Sequence, residues 1–408
     1  MNSRKPDANA RDAGESFSPN RLKQRLNHRQ YSPGVLTRAV CTATATRSFE
    51  EAAKVLRITT SLEVSPRHLQ TLCREIGDEL VKQRKAGSQA FRDRPLNTPA
   101  RTASPPIPLA AVMIDGGRMQ TRQPGRGPGV HDSAWRETKT AIFLRMTHQP
   151  FAADPQPDLP ACFAHPLGEV AKAGSDPDPA TSQIKPREVL CRTGLATLDN
   201  SDDFGWQAAS AAENRGFFSA TAQAFVCDGQ AYNWTIHRRH FASFEPILDF
   251  VHASEHIHSA AAAAGQPGAR WVEACWQGRV LEILAAIAER LNQLSPPDDP
   301  DEEPDHPWCV LRREHGYLRN NRERMAYPRY RQGGLPITSS PVESWVKQLN
   351  QRVKGSEKFW NDDGNAEAIL QLRTAWLGDD ELLIRHLRTR PGDNSARPRS
   401  PTPSLKAA

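Results

Sequence analysis

Apolar residues recur at helical spacing in two segments near the N-terminus. The first segment begins at Ser48, which forms a capping-box pattern with Glu51, and the second begins at Ser65, which is followed by a proline. Apolar positions three or four residues apart follow each start, and this is the spacing of one helix face. Two helices joined by a short turn are similar to a helix-turn-helix, although an ordinary helical hairpin shows the same pattern. We therefore predict a helical, helix-turn-helix-like DNA-binding module over residues 31–86.

Four apolar runs predict β-strands in the middle of the chain, at residues 107–114, 135–146, 223–227 and 246–250. The first run ends at Asp115 and the third at Asp228, and a glycine follows each acid. Asp-Gly is a common turn, so each acid has a structural explanation as well as a functional one. Eight prolines and few periodic apolar positions predict a long loop over residues 147–203.

Helical spacing also marks the second half of the chain. Apolar positions predict long helices at residues 270–294, 308–324 and 364–388. A further helix is predicted to start at Pro341, with Ser340 as its N-cap and Glu343 in its first turn. Strands and helices in this order indicate an α/β fold, in which helices flank a parallel or mixed sheet.

Three acids lie in comparable settings. Asp115 and Asp228 end apolar strands, and Glu343 lies on an amphipathic helix. Strand ends and an adjacent helix can meet at one edge of such a sheet even when the residues are far apart in sequence. Carboxylate oxygens suit Mg²⁺ or Mn²⁺ better than zinc, and two such ions support phosphoryl transfer. The acids therefore predict a site for two divalent cations, with turn and capping roles as the structural alternative.

Charge and composition favour a polyanionic partner. The formal net charge is +6, and basic residues are concentrated in three segments, at residues 1–47, 319–358 and 385–408. Such clustering argues for nucleic acid, although solvated surface and basic tails produce it too. The 33 prolines indicate extended connections. We predict unstructured or linking segments at residues 1–30, 87–106 and 391–408.

Several cations are candidate contacts for double-stranded DNA. The first turn of the second N-terminal helix offers Arg67 and His68 to a major groove. Candidates for phosphate binding near the three acids are Arg118, Arg122, Lys347, Arg352 and Lys354. Solvated surface charge is the alternative for each of them.

Cysteine usage and hydropathy bear on the compartment. The seven cysteines are odd in number and widely spread, without a CxxC pair, so neither a disulfide framework nor a cysteine zinc site is indicated. No apolar run approaches the roughly 18 residues that a membrane span needs. We therefore predict a cytoplasmic protein with no membrane partner.

The last third of the chain resembles the end of the catalytic domain in DDE transposases of bacterial insertion sequences, in particular the ISKra type. The resemblance is carried by YPRYRQGGLP, ITSSPVESWVKQLNQRVKG and GNAEAILQLRTAWL. Earlier segments follow in the order that this family has them, namely MIDGGRMQTR, VCDGQAYNW and ILDFVHASEH. The resemblance extends over about residues 105 to 380.

This resemblance implies a ribonuclease-H-like core with Asp115, Asp228 and Glu343 as catalytic acids that hold two Mg²⁺ or Mn²⁺ ions. Asp249 and His252 match an Asp-x-x-His pair that supports the site in Mutator-like relatives. The core would comprise residues 107–252 and 326–390, separated by an all-helical insertion at residues 253–325.

The implied activity is that of a transposase. It would bind the terminal inverted repeats of its element and then cleave and transfer DNA strands. Joining two element ends implies a homodimer or a larger assembly on DNA, and the protein would be associated with the nucleoid.

Two other functions fit parts of the chain. His252, Glu255 and His256 match HxxEH, the inverted zinc-peptidase pattern, with Glu282 or Glu289 as candidates for the third ligand. That pattern has only three fixed positions, so chance matches are expected. The second alternative is a non-catalytic DNA-binding protein, such as a regulator or a transposase that binds element ends without cleaving them.

Overall fold

Five strands form one mixed sheet in the computed structural model of the protein. The strands are β1 (Leu109–Thr121), β2 (Ala134–Met146), β3 (Val189–Thr197), β4 (Ala222–Cys227) and β5 (Glu245–Leu248). Their order across the sheet is β3-β2-β1-β4-β5. The β1–β2 and β2–β3 pairs are antiparallel, whereas the β1–β4 and β4–β5 pairs are parallel. The predicted α/β class and mixed sheet are therefore confirmed.

The structure describes residues 31–95, 97–121, 134–164, 187–354, 360 and 363–390. The predicted terminal segments 1–30 and 391–408 lie outside these residues, and so does the candidate Arg122. Within the described ranges, no helix is long and apolar enough to cross a membrane.

Three helices precede the sheet: α1 (Pro33–Ala45), α2 (Phe49–Thr60) and α3 (Pro66–Arg92). The predicted N-cap of α2 is present, because the Ser48 side chain accepts a hydrogen bond from the Glu51 amide at 3.0 Å. The Glu51 carboxylate in turn accepts one from the Arg47 amide at 2.8 Å. α1 was not predicted, and α3 continues past residue 86 into the predicted linker.

Helices also follow the strands. They are α4 (Ser201–Asn214), α5 (Ala231–His240), α6 (Phe250–Ala264), α7 (Gly268–Trp276), α8 (Val280–Gln293), α9 (Pro307–Asn321), α10 (Tyr327–Gln332), α11 (Ser340–Val353), α12 (Asp363–Leu377) and α13 (Leu382–Thr389). α11 packs against β1 and β2, and α12 packs against β3 and α3. The N-terminal helices thus lie directly on the rest of the protein.

Two predictions for the middle of the chain are wrong. The proline-rich loop predicted over residues 147–203 contains the edge strand β3, whose Arg and Gly residues break the expected apolar alternation. The single helix predicted over residues 270–294 is two helices, α7 and α8, because the chain turns at Gly278 with a positive φ of 76°. The apolar rhythm continues across this turn since both helices bury residues in the same core.

Candidate active site

Strand register brings Asp115 next to Asp228. The parallel pairing of β1 and β4 ends at Ile114 and Cys227, and Asp115 and Asp228 are the residues that follow these two in the sequence. β1 nevertheless continues, paired with β2, so Asp115 lies within a strand opposite Thr140. The predicted strand end at Asp115 is therefore wrong, while Asp228 does follow the last residue of β4.

Glu343 approaches the same strands from α11. It lies in the first turn of this helix, which packs against β1 and β2. The helix begins at Ser340, so the N-cap position belongs to Ser339, one residue earlier than predicted. The buried amide of Ser339 donates a hydrogen bond to the carboxylate of Asp249, which fixes the start of the helix.

The three acids are electrostatic neighbours. Burial raises the pKa of Asp115 to about 6, and the negative charges of Asp228 and Glu343 act in the same direction. A hydrogen bond from the Gly116 amide, 2.7 Å from Oδ1 of Asp115, and the charge of His252 oppose this effect. Negative charge in this region is therefore only partly neutralised by the protein.

The Asp228 carboxylate is oriented by the residues that follow it. Its Oδ1 accepts hydrogen bonds from the Gln230 amide at 3.1 Å and from Nδ2 of Asn233 at 2.8 Å. Asn233 is fully buried on α5. In the described part of the chain, both hydrogen bonds to this carboxylate fall on Oδ1, which leaves Oδ2 for a ligand.

Buried Asp249 and half-buried His252 form a pair at the start of α6. Oδ1 of Asp249 accepts hydrogen bonds from the backbone amide of His252 at 2.8 Å and from its Nδ1 at 3.2 Å. Burial alone would raise the pKa of Asp249, but its hydrogen bonds to His252 and Ser339 lower it overall. The hydrogen bond that His252 donates to the Asp249 carboxylate raises the pKa of His252 to about 9. The pair thus connects α6 to α11 and adds a cation beside the acids.

The donor set suits an oxygen-preferring divalent cation, since it consists of carboxylates that repel one another. Among the described residues, however, no three His, Cys, Asp or Glu side chains already surround a common metal position. Glu343 is 3.9 Å from Nζ of Lys347, a cation on the outer side of α11, and 31% of its side chain is exposed. Coordination by all three acids therefore requires a rearrangement of side chains.

The HxxEH residues are differently engaged. His252 and His256 both lie on α6, one turn apart, but Nδ1 of His256 is 2.5 Å from Oε2 of Glu314 and not near Asp249. Glu282, a proposed third ligand, accepts a hydrogen bond from the Arg279 guanidinium at 2.5 Å. Glu282 and Glu289 line an open groove of about 560 Å³ between α7 and α8, which neither histidine lines. This geometry does not fit the alternative of a zinc-peptidase site.

Most of the described DNA-contact candidates are accessible. The exposed ones are Arg67, Arg118, Lys347 and Lys354. His68 is half-buried, with its ring centroid 5.6 Å from that of Tyr31. Nζ of Lys354 lies 5.9 Å from the ring centroid of Trp135, a tryptophan that is 48% exposed. An exposed aromatic ring beside a cation is a common surface for nucleic acid.

Arg352 does not fit its predicted role as a phosphate contact. It is 3% exposed, and its guanidinium donates hydrogen bonds to the carbonyl oxygens of Ala43 at 3.1 Å and Arg47 at 3.3 Å. It also lies over the ring of Phe49, 4.3 Å from the centroid. Helical spacing placed Arg352 on α11 correctly, but it could not show that α1 and α2 cover this side of the helix.

Two residues near the acids were missed from the sequence. Asn233 holds the Asp228 side chain, and Tyr317 of α9 donates a hydrogen bond to the Asp228 carbonyl oxygen at 2.8 Å. An amide side chain five residues after a strand-end acid, at the start of a helix, is a signal that could have identified Asn233. No local pattern marks Tyr317, because it reaches the site from a distant helix.

No family model and no curated protein matches the chain. Among solved structures, the chain is similar to the Drosophila P element transposase strand transfer complex, with 9% sequence identity and a TM-score of 0.35. That alignment covers 87% of this chain and 93% of the other.

Proposed function

We propose that the protein is a DDE-type DNA transposase, related to the ISKra type, with a ribonuclease-H-like core and Asp115, Asp228 and Glu343 as its catalytic acids. One observation carries the proposal: the parallel register of β1 and β4 brings Asp115 beside Asp228, the residue after β4, and Glu343 lies on the helix that packs against β1. The pKa of Asp115, raised by burial and by the other two charges, supports their proximity.

Each acid has a distinct part in the proposed chemistry. Asp115 on β1 and Asp228 in the turn after β4 would provide oxygen ligands for two Mg²⁺ or Mn²⁺ ions, and Glu343 on α11 would complete the set. When bound, such ions supply activation of a water or a 3′-hydroxyl and charge stabilisation at the leaving oxygen. Asp249 would hold α11 in place through the Ser339 amide, and His252 would keep Asp249 ionised.

DNA would contact two surfaces. The N-terminal helices would bind the terminal inverted repeats, with Arg67 and His68 at the start of α3 facing a major groove. Arg118, Lys347 and Lys354 would bind phosphates near the acids. Helices α6 to α9, which follow β5 without an intervening strand, would form the helical insertion.

The reaction also defines the assembly. Cleavage and transfer at both ends of an element require two copies of the site, so we propose a homodimer or larger assembly on DNA at the bacterial nucleoid.

The test is cleavage of a DNA fragment that carries the repeats flanking the gene. We expect nicking that depends on Mg²⁺ or Mn²⁺ and that falls by about 100-fold or more in Glu343→Gln, because the variant loses a ligand. Glu255→Gln is the matched control. It removes the residue that would be the general base of a zinc peptidase, and we expect it to nick as the wild type does.

The same fragment separates a transposase from a DNA-binding protein that does not cleave. Asp115→Ala is expected to bind the repeats with unchanged affinity and to lose nicking. If the wild type binds the repeats but leaves them intact with either metal, the catalytic proposal is wrong and the binding alternative is supported.

A further inference from the structure

α9 is attached to the turn that carries Asp228. The hydroxyl of Tyr317 donates a hydrogen bond to the Asp228 carbonyl oxygen at 2.8 Å. The next residue, Gly229, has a φ of 84°, and a Cβ built on it would lie 2.7 Å from the Tyr317 hydroxyl. The turn therefore passes directly under the tyrosine, at a distance that a larger side chain at position 229 would prevent.

The ring of Tyr317 is itself held in place. It stacks on the His256 ring, with a centroid distance of 3.6 Å and an interplanar angle of 22°. Nδ1 of His256 is 2.5 Å from Oε2 of Glu314, a residue only 2% exposed. Oε1 of Glu314 accepts a hydrogen bond from the Ser259 hydroxyl at 3.2 Å. This network joins α6 to α9 and limits rotation of the tyrosine.

The same helix holds the other side of the turn. Asn321, one helical turn after Tyr317, accepts a hydrogen bond from Nε1 of Trp234 at 2.9 Å. Trp234 follows Asn233, whose side-chain amide binds the Asp228 carboxylate. α9 thus fixes both the main chain at Asp228 and the helix that orients its side chain.

We propose that Tyr317 is a positioning residue for Asp228, supported by the pair of His256 and Glu314. The inference rests on the proposed function, because it assigns to Tyr317 the alignment of a carboxylate that would bind a divalent cation. It also gives His256, one of the HxxEH histidines, a role that does not involve zinc. A main-chain anchor of this kind lowers the cost of holding the ligand in its bound orientation.

The test compares Tyr317→Phe with Tyr330→Phe. Phenylalanine keeps the ring and its stacking on His256 and removes only the hydroxyl. Tyr330→Phe is the matched control, since the Tyr330 hydroxyl also bonds a main-chain carbonyl, that of Pro246 at 3.3 Å, away from Asp228. Two properties are measured: hydrogen exchange of residues 228–233 in metal-free protein, and the Kd for Mn²⁺.

Tyr317→Phe is expected to exchange faster over residues 228–233 and to bind Mn²⁺ roughly tenfold more weakly, while Tyr330→Phe matches the wild type in both. If a Tyr317→Phe variant exchanges and binds Mn²⁺ as the wild type does, while Asp228→Asn binds more weakly, the positioning role is wrong and the metal role stands. If Asp228→Asn binds Mn²⁺ as tightly as the wild type, the proposed function fails, and the exchange data alone decide whether Tyr317 fixes the turn.

Discussion

Two regions of this protein differ in how completely their buried charges are paired with partners of opposite charge. At the interface between α3 and the core, the side chain of Arg84, 10% exposed, is paired with Glu367 and donates a hydrogen bond to Gln371 at 2.6 Å. Glu367 also accepts hydrogen bonds from Thr197 and from the Leu198 amide, each at 2.7 Å. At the candidate active site, by contrast, three carboxylates lie near one another, and the charges of Asp228 and Glu343 help burial to raise the pKa of Asp115.

In a second contact of the N-terminal helices, buried arginines again have hydrogen-bond partners. Arg352 and Arg373 donate to carbonyl oxygens at the C-terminal end of α1, including those of Ala43 and Thr44, both at 3.1 Å. These carbonyls lack partners within the helix and carry partial negative charge. The buried cations therefore neutralise a helix end and attach α1 to α11 and α12.

The contrast separates structural charge from functional charge. A buried charge with a complete set of partners holds the elements together, and removing one partner is costly. A carboxylate whose pKa is raised by burial and by neighbouring like charges, as for Asp115, lowers stability when it is ionised, which argues for a ligand that compensates the charge. Substitutions in the two regions should therefore have opposite signs.

The largest effect on stability is expected where the N-terminal helices α1 to α3 pack against the rest of the protein, which we call the docking interface. Arg84→Met should lower the free energy of unfolding by about 3 kcal/mol or more, because it leaves the buried Glu367 without its cation. The measurement is the urea midpoint of the full chain at pH 7. Arg74→Met on the same helix is the control, since its partner Asp78 is 3.8 Å away and both side chains are largely exposed. A similar loss in both variants would contradict the assigned difference.

At the candidate active site, a substitution is expected to raise the free energy of unfolding instead of lowering it. Asp115→Asn should stabilise metal-free protein at pH 8 by about 1 to 2 kcal/mol, because burial and two neighbouring charges penalise the ionised carboxylate. The pKa of Asp115 is raised in the folded state from 3.8 to about 6, so wild-type stability falls as the pH rises through that interval. The gain should therefore be absent at pH 4. Urea unfolding with a chelator at both pH values measures it.

Asp249→Asn is the internal control for this prediction. Asp249 is fully buried close to the same acids, but its hydrogen bonds to His252 and Ser339 lower its pKa. This substitution should lower stability at pH 8. Two stabilised variants would mean that the distinction between compensated and uncompensated acids does not hold.

Local sequence signals were sufficient for part of this structure. Capping at Ser48 and Ser65, and the apolar runs that end near Asp115 and Asp228, are short-range patterns that predict the start of α2 and α3 and the positions of β1 and β4. The mixed sheet followed from the order of elements. The proximity of the two acids was predictable because adjacent strands in such a sheet carry them.

Long-range packing explains what was missed. β3 is an edge strand with one partner, so its sequence needs no regular apolar alternation. Arg352 has the sequence of an exposed cation and is buried only because α1 and α2 fold over α11. Tyr317 contacts Asp228 although the two residues are 89 positions apart in the sequence. Each of these features depends on contacts that spacing along the chain does not encode.

The smallest predicted effect lies at the outer edge of the docking interface. Glu79 of α3 receives hydrogen bonds from His386, with 2.9 Å to Nε2, and from Arg390, with 2.8 Å to Nε. Burial alone would raise the pKa of Glu79, but these two partners lower it to about 2. The side chain is 33% exposed, so solvent screening limits the contribution to about 1 kcal/mol.

The pH dependence of this pair tests whether acid loosens the docked helices. Since the pKa of Glu79 is lowered from 4.5 to about 2 in the folded state, its contribution is complete above pH 4.5 and is lost as the pH falls through about 2. Glu79→Gln should therefore be less stable than the wild type at pH 7, and the difference should shrink below pH 4.5. Urea midpoints at pH 7, 4 and 3 measure this. A difference that stays constant over this range would mean that the carboxylate is not ionically paired, and the docking interface would then lose one of the compensated charges that set it apart from the acidic site.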